Sequence, residues 1–266
     1  MNELSTKPNT RELNTSANVK VIMQNTFFNA KLKRGGSQDI KSDMHSATQK
    51  LIRLCIAQCK MTDKAFYEYS ISANEIIQLF GVERKEVYRN CESWAKQALA
   101  TQVGYRNDKE EEFEYTNLFS KCKYKKGILT MKLSEDMTPY FINIKKELGY
   151  TQYELSTILS TKGKHTIPIY ELISKELKAS LPYADKCCVI YISQSDIRNR
   201  TGTEVMYKNS SDFKKRVLMP SLKEIETIMN IKIEVAEKKV SRNVVGYKLT
   251  LWSANGYEKL FIKDEL

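Results

Sequence analysis

Ile192-Ser-Gln-Ser-Asp196-Ile197-Arg-Asn-Arg-Thr-Gly202 decides the fold, because the same pattern occurs earlier as Ile71-Ser-Ala-Asn-Glu75-Ile76-Ile-Gln-Leu-Phe-Gly81. Each copy ends a strand-like run on isoleucine, places serine at a helix N-cap and sets an acid three residues on. That spacing lets hydroxyl and carboxylate satisfy the free N–H groups of a first turn. Each copy then closes on glycine, the residue best suited to the left-handed stop of a helix. The match continues. Tyr88-Arg89-Asn90 with Trp94, Lys96, Ala98 and Leu99 corresponds to Tyr207-Lys208-Asn209 with Phe213, Lys215, Val217 and Leu218. Two matches in the same order, at nearly the same separation, argue for a duplicated unit.

Working outward, the order helix, strand, helix, helix, hairpin is predicted twice. The first pass has a helix through Lys60 and a strand Ala65–Ile71. A capped helix Ala73–Phe80, a longer helix Glu83–Ala100 and strands Thr101–Arg106, Phe113–Cys122 and Gly127–Leu133 follow. A helix from Ser134 to Gly149 comes next, then one opened by the capping-box spacing Thr151-Gln-Tyr-Glu154. The second pass has a helix Thr166–Lys178, a strand Val189–Ile192 and a helix from Ser193 to Thr201. It ends with a long helix Ser211–Met229 and strands Ile231–Glu237 and Val244–Trp252. A short capped helix, a glycine turn and a basic helix describe a helix-turn-helix; a hairpin straight after makes it winged. The expected fold is α+β, two tandem winged-helix domains related by internal duplication. Residues 1–40 form a partly flexible arm, with Val19–Phe28 docking as a strand. Domain 1 spans 41–164, domain 2 spans 165–254, and 255–266 are a tail.

Charge directs attention to polyanions. Of 266 residues, Lys+Arg number 43 and Asp+Glu 32, a net charge of +11. The surplus is spread: 17 basic against 13 acidic residues from His165 onward, 26 against 19 before it. Nucleic acid is the first partner class such a balance suggests, acidic membrane second. The chain shows no apolar run approaching a membrane span and no apolar leader at its start, so it is expected in the cytoplasm. Its last four residues spell an endoplasmic-reticulum retention signal, read here as coincidence.

Other chemistry finds no support. Only His45 and His165 are present, and none of the six cysteines (Cys55, Cys59, Cys91, Cys122, Cys187, Cys188) forms C-x-x-C. No metal, cofactor or catalytic residue is expected, and the chain is read as a non-enzyme. No phosphate-cradling glycine loop occurs. Glu110-Glu111-Glu112 reads as a solvated turn.

Residues for DNA contact come from the helices and hairpins. Between Lys208 and Lys223 lie five basic residues and one acidic. At 100° per residue, Phe213, Val217, Ser221, Ile225 and Ile228 share the inner arc. Asp212, Lys215, Arg216, Met219 and Lys223 fall outside, with Ser211 and Lys214 at the border. Lys215 and Arg216 are assigned to base edges or adjacent phosphates. Lys208, Asn209, Ser210 and Ser211 are assigned to the backbone. Pro220 is expected to bend this helix. The closing turn adds Lys238, Lys239 and Arg242. In the first unit, Lys85, Arg89 and Lys96 lie on the helix, while Lys121, Lys123, Lys125 and Lys126 crowd the hairpin Ser120–Gly127. That unit is expected to grip backbone more than read sequence.

Longer stretches resemble a known family, the iteron-binding plasmid replication initiators of the RepA/RepB/RepE type. They are Leu118-Phe-Ser-Lys-Cys-Lys-Tyr-Lys-Lys-Gly-Ile-Leu, Thr138-Pro-Tyr-Phe-Ile-Asn-Ile-Lys, Tyr150-Thr-Gln-Tyr-Glu-Leu, Ile167-Pro-Ile-Tyr-Glu-Leu-Ile and Asp212-Phe-Lys-Lys-Arg-Val-Leu-Met-Pro-Ser-Leu-Lys-Glu-Ile. The resemblance implies that the second winged helix reads directly repeated origin DNA in the major groove. It also implies that the first touches DNA in the monomer and forms the interface in a homodimer. Dimers would repress the protein's own gene. Monomers would open the origin and recruit a host replication initiator and the replicative helicase, in a bacterial, plasmid-associated setting. Where relatives often carry arginines, this chain has Lys214-Lys215, point charges without a bidentate fork. The alternative reading is a dual winged-helix transcriptional regulator without a replication role.

Overall fold

The computed structural model describes residues 10–16, 18–29, 31–34, 44–107, 109–180 and 187–253. The chain divides into two compact units, Met1–Leu159 and Ser160–Leu266. The first contains β1 (Thr10–Glu12), β2 (Lys20–Gln24), α1 (Asn25–Asn29), β3 (Lys31–Arg34), α2 (Ser46–Ala57), β4 (Glu68–Ser72), α3 (Ala73–Phe80) and α4 (Val87–Leu99). It continues with β5 (Thr101–Asn107), β6 (Glu112–Asn117), β7 (Phe119–Lys125), β8 (Ile128–Leu133), α5 (Thr138–Phe141), β9 (Tyr150–Glu154) and α6 (Leu155–Ser160). The second contains α7 (Thr166–Ser180), β10 (Cys187–Ser193), α8 (Gln194–Thr201), α9 (Ser210–Phe213), a π-helical turn Lys214–Leu218, α10 (Met219–Met229), β11 (Ile231–Val240) and β12 (Asn243–Ser253).

The two units share one plan. In the first, β4 leads into α3 and α4, and the hairpin β7–β8 returns beside it in the order β4-β8-β7. In the second, β10 leads into α8 and the long helix, and β11–β12 returns in the order β10-β12-β11. The junctions match residue for residue. Ser72 Oγ accepts from Glu75 N–H at 3.3 Å, and the Glu75 carboxylate accepts from Ser72 N–H at 2.8 Å. Ser193 Oγ accepts from Asp196 N–H at 2.9 Å. Gly81 and Gly202 stop their helices at φ 63° and 68°, where a side chain would be strained.

The sheet of the second unit buries one face. Along β10, Cys188, Ile190 and Ile192 are buried while Val189 and Tyr191 are exposed, the period of two that a half-buried strand requires. In the second core, α7 contributes Ile169, Leu172 and Ile173, α8 contributes Ile197, and β12 contributes Tyr247, Leu249 and Leu251. The core also holds a buried ion pair, Arg200 Nη2 to Glu171 Oε2 at 3.1 Å, with both side chains fully enclosed.

The first unit has more structure than the duplicated plan. A hairpin β5–β6 is inserted between helix and wing and pairs with β3 as a three-stranded sheet. The strand expected over Phe113–Cys122 is therefore two. It breaks at buried Leu118, whose N–H donates to Thr101 O while its own carbonyl accepts from Ser134 N–H. The arm is also more ordered than expected. Residues 10–12 pair in parallel with β4, and Arg11 holds Asp63 with two hydrogen bonds of 3.0 and 3.2 Å while lying 3.9 Å over the Tyr67 ring. Val19–Phe28 is a strand only to Gln24, then turns helical. Residues 1–9, 17, 30 and 35–40 of the expected arm and all of residues 255–266, with the four-residue signal, lie outside the described residues.

Other expectations are corrected. Thr151 does not cap a helix. It lies inside β9, paired with β2, and its hydroxyl donates to Asn25 Oδ1 at 2.7 Å. The spacing signal was real, but pairing with a strand some 130 residues upstream outweighed local capping, as tertiary context often does. The helix expected from Ser134 to Gly149 stops at Phe141, where the Thr138 carbonyl takes both Ile142 and Asn143 N–H groups. The buried Gln24 amide then holds the chain, accepting from Lys145 N–H at 2.7 Å and donating to Lys145 O at 3.1 Å and to Gly149 O. The helix expected from Glu83 starts as a 3₁₀ turn, Arg84–Glu86.

Removing one partner of the buried pair should be costly. Arg200→Met leaves a buried carboxylate without its guanidinium, and a loss of about 3–5 kcal/mol is expected in urea unfolding. Adding Glu171→Leu should recover most of it; a double variant as unstable as the single would refute this account.

Candidate nucleic-acid interface

In the second unit a strand becomes a helix without a loop, so the turn after α8 starts from a fixed point. That turn, 202–209, is gripped from one side. The Arg198 guanidinium donates to Thr203 O at 3.0 Å and to Met206 O and Tyr207 O at 2.7 Å each. Its flat face lies 4.2 Å from the centre of the buried Phe213 ring. Tyr207 sits at φ 48°, unfavourable for a bulky residue, and Arg198 holds its carbonyl there. The next residues are Lys208, which is exposed, and Asn209, whose side chain accepts from Ser211 N–H at 2.9 Å and caps α9. The Ser210 hydroxyl lies 3.3 Å from the Gln194 amide.

The long helix presents what its pattern promised, by an unexpected winding. Phe213, Val217, Ser221 and Ile225 are buried and Ile228 is partly exposed. Asp212, Lys215, Arg216, Met219 and Lys223 face solvent. Leu218 and Leu222, outside the expected inner arc, are buried too. The cause is Pro220, which has no N–H for the carbonyl four residues back. Instead of a simple bend, the turn Lys214–Leu218 widens to a π-helix, which rephases the face. Leu218 joins Val217 in the core while Lys215 and Arg216 stay outside.

The wing is longer than expected. β11 continues to Val240, and the chain reverses at Ser241-Arg242, with Ser241 at φ 56°. Lys238 and Lys239 are thus strand residues and take opposite faces. Lys238 Nζ lies 4.6 Å over the Tyr191 ring on the open face. Lys239 Nζ lies 3.3 Å from Glu237, whose other oxygen accepts from Lys214 Nζ at 2.9 Å. Arg216 is loosely matched to Asp212 at 4.0 Å. Among the described residues, Lys208, Lys215 and Arg242 are exposed without a carboxylate partner.

The first unit distributes charge differently. Its helix cations each meet a glutamate: Lys85 with Glu83 at 2.9 Å, Arg89 with Glu86, and Lys96 with Glu92 at 2.7 Å. On its wing Lys121 pairs with Glu68 at 2.7 Å. Lys123, Lys125 and Lys126 are exposed without a carboxylate partner among the described residues. Lys126 and Gly127, both at positive φ, form the tip, as a two-residue hairpin turn of this hand requires. Tyr88, 62% exposed on α4, stacks edge-on against Tyr124 of the wing at 5.6 Å.

Sequence reading missed Arg198 and Glu237. A lone arginine in a short helix gives no signal of the carbonyls it will collect, and Glu237 looked like the shoulder of a basic turn. Among the described residues no group of three His, Cys, Asp or Glu could hold a metal ion, and no helix is long and apolar enough to cross a membrane.

Comparison with known proteins agrees with this architecture. Residues 20–174 match the family described as "Initiator Replication protein, WH1" and residues 193–251 the one described as "Initiator Rep protein, WH2". A curated replication initiation protein of Escherichia coli is 24% identical over 200 residues, 74% of this chain and 61% of that protein, so the chain covers less than two thirds of its relative's length. The crystal structure of the Pi initiator protein in complex with iteron DNA shares the fold, with a TM-score of 0.66 at 18% identity over 90% of this chain and 99% of that one. With two winged helices in tandem and both family matches over most of its length, the chain belongs to the initiator replication proteins.

Proposed function

We propose that this protein initiates plasmid replication by binding directly repeated origin DNA through its two winged helices. The observation that carries the reading is the contrast between the units. The second exposes Lys208 and Lys215 on and before its long helix without carboxylate partners, whereas the first neutralises its helix cations and leaves Lys123, Lys125 and Lys126 open on the wing. A helix of this width fits the major groove. Lys215 and Arg216 reach base edges or the phosphates beside them; Lys208 and Arg242 take phosphates. Asn209 and Ser210 act by shaping the helix start. The first unit binds backbone through its wing and forms the homodimer interface. The monomer opens the origin and engages the host initiator and replicative helicase, and the dimer represses its own gene, in the bacterial cytoplasm. Membership of the initiator family and a shared fold with a protein solved on iteron DNA support this.

Footprinting on the DNA flanking the gene tests it: protection of regularly spaced direct repeats is expected, and protection of a single operator would favour a plain transcriptional regulator. Lys215→Ala or Arg216→Ala should weaken binding to the repeats by about 1–3 kcal/mol, with random duplex less affected. Lys125→Ala should weaken both duplexes alike and reduce the salt slope by about one. Arg198→Lys keeps the charge but loses the fork that spans three carbonyls. A loss of about tenfold on the repeats, some 1.4 kcal/mol, is expected with unchanged circular dichroism and unchanged random-duplex affinity. Equal loss on both duplexes would show that Arg198 does not position the reading helix.

A further inference from the structure

An acid stands where the helix and the wing of the second unit converge. Glu237 Oε1 accepts from Lys214 Nζ at 2.9 Å, and its Oε2 lies 3.3 Å from Lys239 Nζ. One lysine comes from the π turn, the other from β11, and the carboxylate bridges them with one oxygen each. All three side chains remain open to solvent, at 31%, 27% and 54%. Hydrogen bonds from Lys214 and then Lys239 hold the carboxyl below the usual carboxylate range, so it stays charged at neutral pH. An anion with two oxygens between two ammonium groups about 3 Å away is the arrangement a DNA phosphate would adopt at this spot.

We propose that Glu237 is a specificity-determining residue, a carboxylate seated where helix and wing would otherwise grip a phosphate. The inference rests on the DNA-binding reading above. Two physical effects act in one direction. Random duplex is held almost wholly by phosphate neutralisation, so an acid that occupies two lysines subtracts from that attraction. Cognate duplex also depends on register, and the bridge fixes the wing against the helix that carries Lys215 and Arg216. The acid therefore weakens indiscriminate binding while preserving the geometry that base contacts need. Glu234, on the same strand, supplies the control: it is exposed and pairs with Thr250, three residues before Glu237 and on the other face of the strand.

The test is a salt titration of the full chain with a random duplex and with the repeat-bearing duplex, comparing wild type, Glu237→Gln and Glu234→Gln. Glu237→Gln is expected to bind random duplex several-fold more tightly at low salt, with a salt slope steeper by about one to two. Its preference for the repeats should fall by about threefold or more. Glu234→Gln should remain near wild type. An unchanged random-duplex slope in Glu237→Gln overturns the proposal, as does an equal gain in Glu234→Gln, which would mean net charge alone is at work. Equal weakening on both duplexes would make Glu237 a structural buttress and also overturn it. Wild-type protein that binds neither duplex would instead sink the DNA-binding reading itself.

Discussion

The last residue of a strand doubles as the cap of the next helix, at Ser72 and again at Ser193. Because no loop intervenes, the helix axis is fixed to the sheet by one hydroxyl and one N–H. Everything downstream inherits that origin. The left-handed glycine sets where the short helix stops, the turn sets where the long helix starts, and the returning hairpin must pair with the strand that began the unit. A change at the junction would move the long helix and the wing together. The wide π turn before Pro220 is the one place where the second unit adjusts the helix after its start. It brings an extra leucine into the core without turning the basic residues away from solvent.

What the sequence disclosed was local. Caps, glycine stops and alternating strands depend on a few neighbours, so Ser72–Glu75, Gly81 and Ile190–Ile192 were readable, and the face of the long helix was assigned almost residue by residue. What it concealed depends on distant partners. The Thr151 spacing fits a cap as well as a strand, and only β2 decides between them. The inserted β5–β6 hairpin needs β3 to complete its sheet, and β1 needs the free side of β4. Arg198 collects three carbonyls that the sequence cannot place near it, and Glu237 is recognisable as a bridge only once the π turn and the wing are both in place.

Within the plan they share, the duplicated units differ in the charge around their long helices. Both keep the strand, capped helix, glycine and long helix. The first surrounds its helix with glutamates two to four residues from each cation, an arrangement that adds little helix stability at exposed positions but is subtractive toward a polyanion. The second leaves its helix cations largely open and places one acid where two elements meet. A few surface carboxylates thus give two copies of one plan different charge around their helices.

The four-stranded sheet of the first unit ends on β7, and along that strand Lys121, Lys123 and Lys125 alternate with Ser120, Cys122 and Tyr124. An outermost strand offers unpaired backbone groups to any other chain, and regularly placed lysines are a common defence against such pairing. The same ammonium groups thus guard the open edge of this sheet against edge-to-edge pairing. Replacing several of them together would invite aggregation, and the wing's chemistry is bound to the colloidal behaviour of the whole chain.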